Sequence, residues 1–166
     1  VLAQRGFSLV ELTVTVTLAA LVLAIGVPSF QSLSHKNHAE AHLEELNSAL
    51  RLARHVAIEH GRPTRVCPRK ANTAATASAQ CDTSASGDWN RGWVVEMVNG
   101  PTTLMSRQHT PDDTNLSASG SLKEINFSPT GTLTIPNATF TITMGNCTKK
   151  TLINISGHLS FDQSGC

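Results

Sequence analysis

From Phe7 to Phe30 the chain reads FSLVELTVTVTLAALVLAIGVPSF, an apolar run broken by one charge, Glu11. As a helix rising about 1.5 Å per residue it reaches roughly 36 Å, enough to cross a bilayer core of about 30 Å with some tilt. A carboxylate inside such a segment costs on the order of 3 kcal/mol, so it ordinarily has a partner and a task. Pro28, soon after Gly26, predicts a bend where the chain leaves the bilayer. From Glu40 to His60 the apolar residues Leu43, Leu46, Leu50, Ala53 and Ala57 advance by threes and fours, which is one helical stripe. Glu40, Glu44, Ser48, Arg51, His55 and Glu59 take much of the remaining surface. Gly61 and Pro63 stop the helix. The pattern therefore predicts one helix of about fifty residues, apolar all round in its first half and amphipathic in its second.

Beyond Gly61 the period changes to that of strands. Short β-branched or alternating runs occupy Thr64–Cys67, Trp93–Val98, Thr103–Arg107, Lys123–Phe127, Thr132–Ile135, Thr139–Met144, Thr151–Ile155 and His158–Phe161. Turn residues separate them at Asn99-Gly100-Pro101, Ser128-Pro129-Thr130-Gly131, Ile135-Pro136-Asn137 and Ser156-Gly157. The expected fold class is α+β: a long N-terminal helix packed on a C-terminal antiparallel β-sandwich or two-sheet domain. The Leu43, Leu46 and Leu50 stripe is expected to pack against one sheet. Residues 71–88 read as a low-complexity loop tied down by Cys81.

Composition narrows the setting. The 166 residues carry a net charge of +1 with 15% charged side chains, which by itself points to no polyanionic partner. Residues 31–166 suffice for one domain with a real core. The four cysteines, Cys67, Cys81, Cys147 and Cys166, all lie beyond the apolar run and favour two disulfides. Of the three pairings, the sequential one, Cys67–Cys81 with Cys147–Cys166, is the expectation. It closes two short loops, each worth about 3 kcal/mol in a chain-entropy view. A zinc site is not expected, since there is no CxxC and no histidine at ligand spacing from a cysteine. Neither a metal nor any other cofactor is predicted. Disulfides put the domain in the periplasm or outside the cell, and Arg5 on the short N-terminal side fits a cytoplasmic N-terminus.

The segment before the apolar run is VLAQRG. A secretory signal is cut after its apolar stretch, whereas Gly6 precedes Phe7 and the helix, so a cut there leaves the helix on the mature chain. Because the sequence starts at Val1, its leader is expected to be incomplete. Gly6, Phe7 and Glu11 in G-FSLVE resemble the processing motif of the type IV pilin superfamily. Within it, four segments are similar to the GspH/FimT group of minor pilins and pseudopilins: LNSALRLARHVAIEHGRPTRVCP (Leu46–Pro68), DWNRGW (Asp88–Trp93), INFSPTG (Ile125–Gly131) and INISGHLSF (Ile153–Phe161). The order of the cysteines also fits that group.

The resemblance implies the organisation and the partners. Residues 1–6 would be a prepilin leader, 7–30 a transmembrane helix, 31–61 its amphipathic continuation and 62–166 the β-rich domain. Prepilin peptidase would cut after Gly6, and the new Phe7 amine would be N-methylated. Glu11 would pair with that amine in a neighbouring subunit and set register during assembly. Other minor pilins and the major pilin would be partners, with the inner membrane as host before assembly and the pilus tip or fibre as destination. The function implied is a minor pilin that helps prime and cap a type IV pilus. A type II secretion pseudopilin and a DNA-binding minor pilin for natural transformation are the alternatives.

Three further groups could carry chemistry. His35, His38 and His42 share a helix face, where a metal or a shared protonation near pH 6 is weighed against a solvated polar surface. Arg51, Arg54, Arg62, Arg65, Arg69 and Lys70 crowd one stretch and could meet DNA phosphates. DNA-binding members of the FimT branch use Gly-Arg-x-Arg near the C-terminus. Here that stretch is Gly157-His158-Leu159-Ser160, with only Lys149 and Lys150 nearby, so solvated or sheet-facing arginines are the expectation and DNA a secondary partner. Trp89 and Trp93 are expected to pack in the core or at a sheet edge, with a ligand-binding role as the lesser alternative. No GxSxG, HExxH or phosphate loop occurs, and no enzyme is predicted.

Overall fold

The computed structural model of the chain describes residues 8–71, 80–82, 84, 88–99, 103–108, 114–162 and 165. One helix, α1, runs from Leu9 to His60 and is continuous through Pro28. It stops at Gly61, which takes the left-handed conformation (φ 60°), while the Arg62 N–H closes onto the Ala57 carbonyl at 3.2 Å. The two halves of α1 have opposite fates. Residues 8–33 are exposed all round, whereas Ala39, Leu43, Leu46, Asn47, Ala49, Leu50, Ala53, Val56 and Ala57 are buried against the domain.

Among the described residues eight strands follow: β1 Thr64–Pro68, β2 Gly92–Met97, β3 Thr103–Gln108, β4 Thr114–Ala118, β5 Ile125–Phe127, β6 Asn137–Met144, β7 Cys147–Asn154 and β8 Leu159–Asp162. They form two four-stranded antiparallel sheets, ordered β3-β2-β1-β5 and β4-β6-β7-β8. Contrary to the single-sheet expectation, α1 packs on both, touching β1, β2 and β5 of the first and β6 and β7 of the second. Leu46 and Leu50 share one core with Val66, Trp93 and Phe127 from the first sheet and Phe140, Ile142 and Ile153 from the second. A helix with buried positions this closely spaced can seal the open end between two sheets, which one sheet face would not require.

Two strand expectations are corrected. Thr132–Ile135 forms no strand: Leu133 makes a lone bridge to Phe127, and the segment folds back over β5. Thr114–Ala118, unmarked in the pattern, is β4. Its Leu116 N–H is bound by the Asn90 side-chain carbonyl at 2.5 Å, which joins this edge to the short 3₁₀ turn Trp89–Arg91. Both tryptophans lie in the core as expected. Trp89 meets Phe140 edge-to-face at 4.9 Å, and its indole N–H donates to the Leu122 carbonyl at 2.8 Å.

Candidate functional site

The exposed half of α1 is one stretch long and apolar enough to cross a membrane. Its polar side chains are settled locally. Thr13, Thr15 and Thr17 donate to carbonyls of the preceding turn at 2.7–2.9 Å, so their hydroxyls cost little in an apolar medium. Glu11 sits in the first turn, where the helix dipole favours a negative charge, and it makes no ion pair among the described residues. Gly6 and Phe7, the expected processing site, lie outside the described residues.

A disulfide ties residues 80–82 to the end of β1. Cys67 and Cys81 form a disulfide with Cα atoms 5.5 Å apart. Backbone bonds from Lys70 N to Gln80 O (3.0 Å) and from Asp82 N to Pro68 O (2.8 Å) lay residues 80–82 alongside the end of β1. Cys147 is disulfide-bonded, while its expected partner, Cys166, lies outside the described residues. The Thr148 N–H donates to the Gly165 carbonyl at 3.0 Å, which brings the chain near its C-terminus beside the start of β7.

The basic residues are separated by the fold and engaged within it. Arg54 donates to the Gly131 carbonyl at 3.0 Å and Arg62 to the Asn99 carbonyl at 2.9 Å. Arg65 lies between Glu96 and Glu124, and Arg69 is buried. Arg51 faces Glu44 at 3.8 Å. Lys149 and Lys150 point to opposite faces of β7, as alternate strand residues must. Lys149 is buried on the inner face, its ammonium 3.3 Å from Glu40, and Lys150 stands outside in register with Asp162.

His35 and His42 meet different parts of the head. His35 packs beneath the β6–β7 turn at Gly145. His42 is 3.8 Å from Glu45, which also pairs with Arg107 of β3. Burial lowers the His42 pKa below its ordinary 6.5; Glu45 opposes this, and the positive charges of His38 and Arg107 add to it. Among the described residues no cluster of ligands suited to a metal occurs.

One feature was hidden in the sequence. A cleft of about 390 Å³ opens between α1 and the β7–β8 edge, lined by Glu40, Leu43, Glu44, Asn47, Lys149 and Phe161 among others. Asn47 sits in the buried face of α1, fully enclosed, where the helical period calls for an apolar residue. That mismatch was the available signal.

Comparison with known proteins adds two kinds of likeness. Residues 42–158 match the family described as Type II transport protein GspH, and residues 2–27 match the prokaryotic N-terminal methylation motif. The fold is similar to that of the type IV minor pilin FimU of Pseudomonas aeruginosa (strain PAO1) in two crystal forms. In space group P21 the TM-score is 0.61 at 18% identity, covering 80% of this chain and 93% of that one. In P65 it is 0.57 at 20% identity, covering 75% and 93%.

Proposed function

The chain belongs to the Type II transport protein GspH family of minor pilins and pseudopilins, structural subunits rather than enzymes, and within it we propose a minor pilin that helps prime and cap a type IV pilus. The observation that carries this reading is the division of α1. Its first half presents Leu9, Val10, Leu12, Leu18, Leu21 and Ile25 to the outside with nothing of its own domain over them. Its second half is sealed into the core. Such a helix needs an apolar medium along half its length: the inner membrane before assembly, and the packed stems of neighbouring subunits afterwards. Other pilins are therefore the partners, and the methylation-motif match supports processing by prepilin peptidase.

Glu11 supplies direction. In a stem bundle an ionised carboxylate is stable only beside a cation, and the amine of a neighbour's processed Phe7 has the right charge. Pairing between subunits then fixes one axial register.

A second reading, a minor pseudopilin of a type II secretion system, is favoured by the family match itself. The two separate in an in-frame deletion strain complemented with the full chain. Loss of surface pili by tenfold or more with secretion unchanged is the expected result. Lost secretion with normal pili would select the second reading.

A further inference from the structure

Residues 9–28 of α1 rise about 30 Å, which is the thickness of a bilayer's hydrocarbon core, so the turns after Pro28 stand among the polar headgroups. At this level the head reaches down to the stem. A cavity of about 380 Å³ opens between Pro28, Gln31, Ser32 and His35 of α1 and the β6–β7 turn at Gly145 and Asn146. The turn has two residues, since Met144 pairs with Cys147, and Gly145 takes φ +55°, which glycine supplies at the first position of such a turn. It is also pressed onto the stem: a Cβ at Gly145 would lie 2.5 Å from His35 Nδ1. Gln31, Ser32, His35 and Asn146 can each donate a hydrogen bond, and among the described residues none of these four side chains makes one within the chain. No carboxylate lines the cavity, and the sequence has none between Glu11 and Glu40, whereas Lys36 follows His35 directly. Leu21 and Ile25 continue the same helix face downward, by steps of four and three to Pro28, and both are exposed.

We propose that this cavity binds the phosphodiester headgroup of a phospholipid from the surrounding membrane. The proposal rests on the membrane reading above. Phosphodiester oxygens are acceptors that carry a negative charge, so they suit a set of donors with no carboxylate among them and an ammonium close by. The acyl chains would lie along Leu21 and Ile25. A hydrocarbon chain alone would leave four polar side chains against apolar atoms, which is unfavourable. One lipid held by both the stem and the β6–β7 turn sets the height of the head over the membrane before assembly, and extraction into a filament breaks that contact.

The test uses the full-length chain in detergent, with bound lipid counted by native mass spectrometry. Dioleoylphosphatidylglycerol should give a one-to-one adduct. Dioleoylglycerol, with the same tails and no phosphate, should bind at least tenfold more weakly. Inorganic phosphate at ten times the lipid concentration should not displace the lipid; displacement would make this a site for a free anion and overturn the lipid assignment. Gln31→Glu and Asn146→Asp keep the shape of exposed side chains and set a carboxylate against the phosphate. Each should lower binding at least fivefold with an unchanged melting temperature. In cells, a photo-crosslinking residue at Gln31 should give a lipid adduct before assembly, and an adduct to a pilin peptide alone would assign the cavity to a neighbouring subunit instead. Equal binding of the two lipids, or of wild type and both variants, removes the site and leaves the membrane reading standing. A chain absent from the membrane fraction of its own cells removes both.

Discussion

Arg54 Nε donates a 3.0 Å hydrogen bond to the Gly131 carbonyl, 77 residues further along the chain. A Cβ on Gly157 would lie 2.8 Å from the same Arg54 nitrogen and 2.9 Å from the same Gly131 oxygen. Three of the segments by which the chain resembles its family, around Arg54, Gly131 and Gly157, thus meet at one point. There they fasten the upper stem to two loops of the head.

Both glycines are in the left-handed region, at φ +77° and +74°. Gly157→Ala should lose roughly 1–2 kcal/mol from the backbone alone, with the contact on Arg54 adding to it. Gly131→Ala meets Ile58 Cδ1 at 2.6 Å and should cost at least as much. Circular-dichroism melts of the detergent-solubilised chain should show both variants unfolding several degrees lower. An unchanged melt for Gly157→Ala would mean that the loop relaxes freely and that Arg54 fixes nothing.

Processing and assembly should come apart at two positions. Gly6→Val should block cleavage, because a branched side chain crowds the peptidase site, and mass spectrometry should then find residues 1–6 retained. Glu11→Val should be cleaved and inserted normally, since it makes the helix more apolar, yet enter filaments poorly because the neighbour's buried amine loses its partner. That loss corresponds to about 3–5 kcal/mol for one partner of a buried pair. Pilus counts equal to wild type would reduce Glu11 to a feature of the cleavage motif.

Reduction should loosen the head at two places. Cys67–Cys81 closes a loop with a sequence separation of 14, so removing it should cost about 3 kcal/mol in the chain-entropy model. Peptide mapping of the oxidised protein should link Cys67 to Cys81 and Cys147 to Cys166. Cys67→Ser with Cys81→Ser should melt lower than wild type while leaving membrane insertion intact. A mapped Cys67–Cys147 peptide would contradict the geometry at β1.

Acid should act in two steps. The His42 imidazole is held below 6.5 chiefly by burial, so the unfolded chain binds that proton more readily. Stability from this group is full above about pH 6.5 and falls as pH drops from there through the folded pKa. Hydrogen bonds from Ser84, with smaller help from Arg91 and Lys70, hold Asp82 below 3.8, and its contribution is lost only as pH falls below that value. Melting temperatures followed from about pH 8 to 3 should decline in both windows. His42→Gln should flatten the upper decline and keep the lower. An unaltered upper decline would place it on another group.

The stem was legible because its pattern is long: Phe7–Phe30 carries a single charge, Glu11, in an otherwise largely apolar run, and Leu43, Leu46 and Leu50 hold a strict helical step. The head was less so, for reasons visible at single residues. In β4, TNLSA offers one large apolar side chain, Leu116, and the strand exists because β6 and Asn90 pair with it. In β7 the inward series is Cys147, Lys149, Thr151 and Ile153, so a buried lysine hides the alternation until Glu40 is seen beside it. Thr132–Ile135 has strand composition but meets β5 through only one bridge, Leu133 to Phe127, which is too short a pairing to make a strand. Asn47 breaks the apolar stripe of α1 in the sequence, but only the fold shows it buried without a hydrogen-bond partner.

DNA binding provides the sharpest separation between a scaffold and a receptor. Arg54, Arg62 and Arg65 already hold carbonyls or carboxylates of their own chain, and Lys149 faces inward. These groups are not available to displace counterions from a duplex. The unmodified protein should therefore bind DNA no tighter than about 10⁻⁴ M at physiological salt, the weak end of non-specific association. His158 and Ser160 are exposed, and Ser160 shares the outer face of its sheet with Lys150, diagonally across the ladder. His158→Arg with Ser160→Arg would place two guanidiniums near that ammonium and should tighten binding, with a steeper dependence on salt. Anisotropy titrations at two salt concentrations measure both effects. Low-micromolar binding by the unmodified protein, lost when Arg62, Arg65 and Arg69 are changed to alanine, would reverse the assignment and make the basic stretch a DNA site.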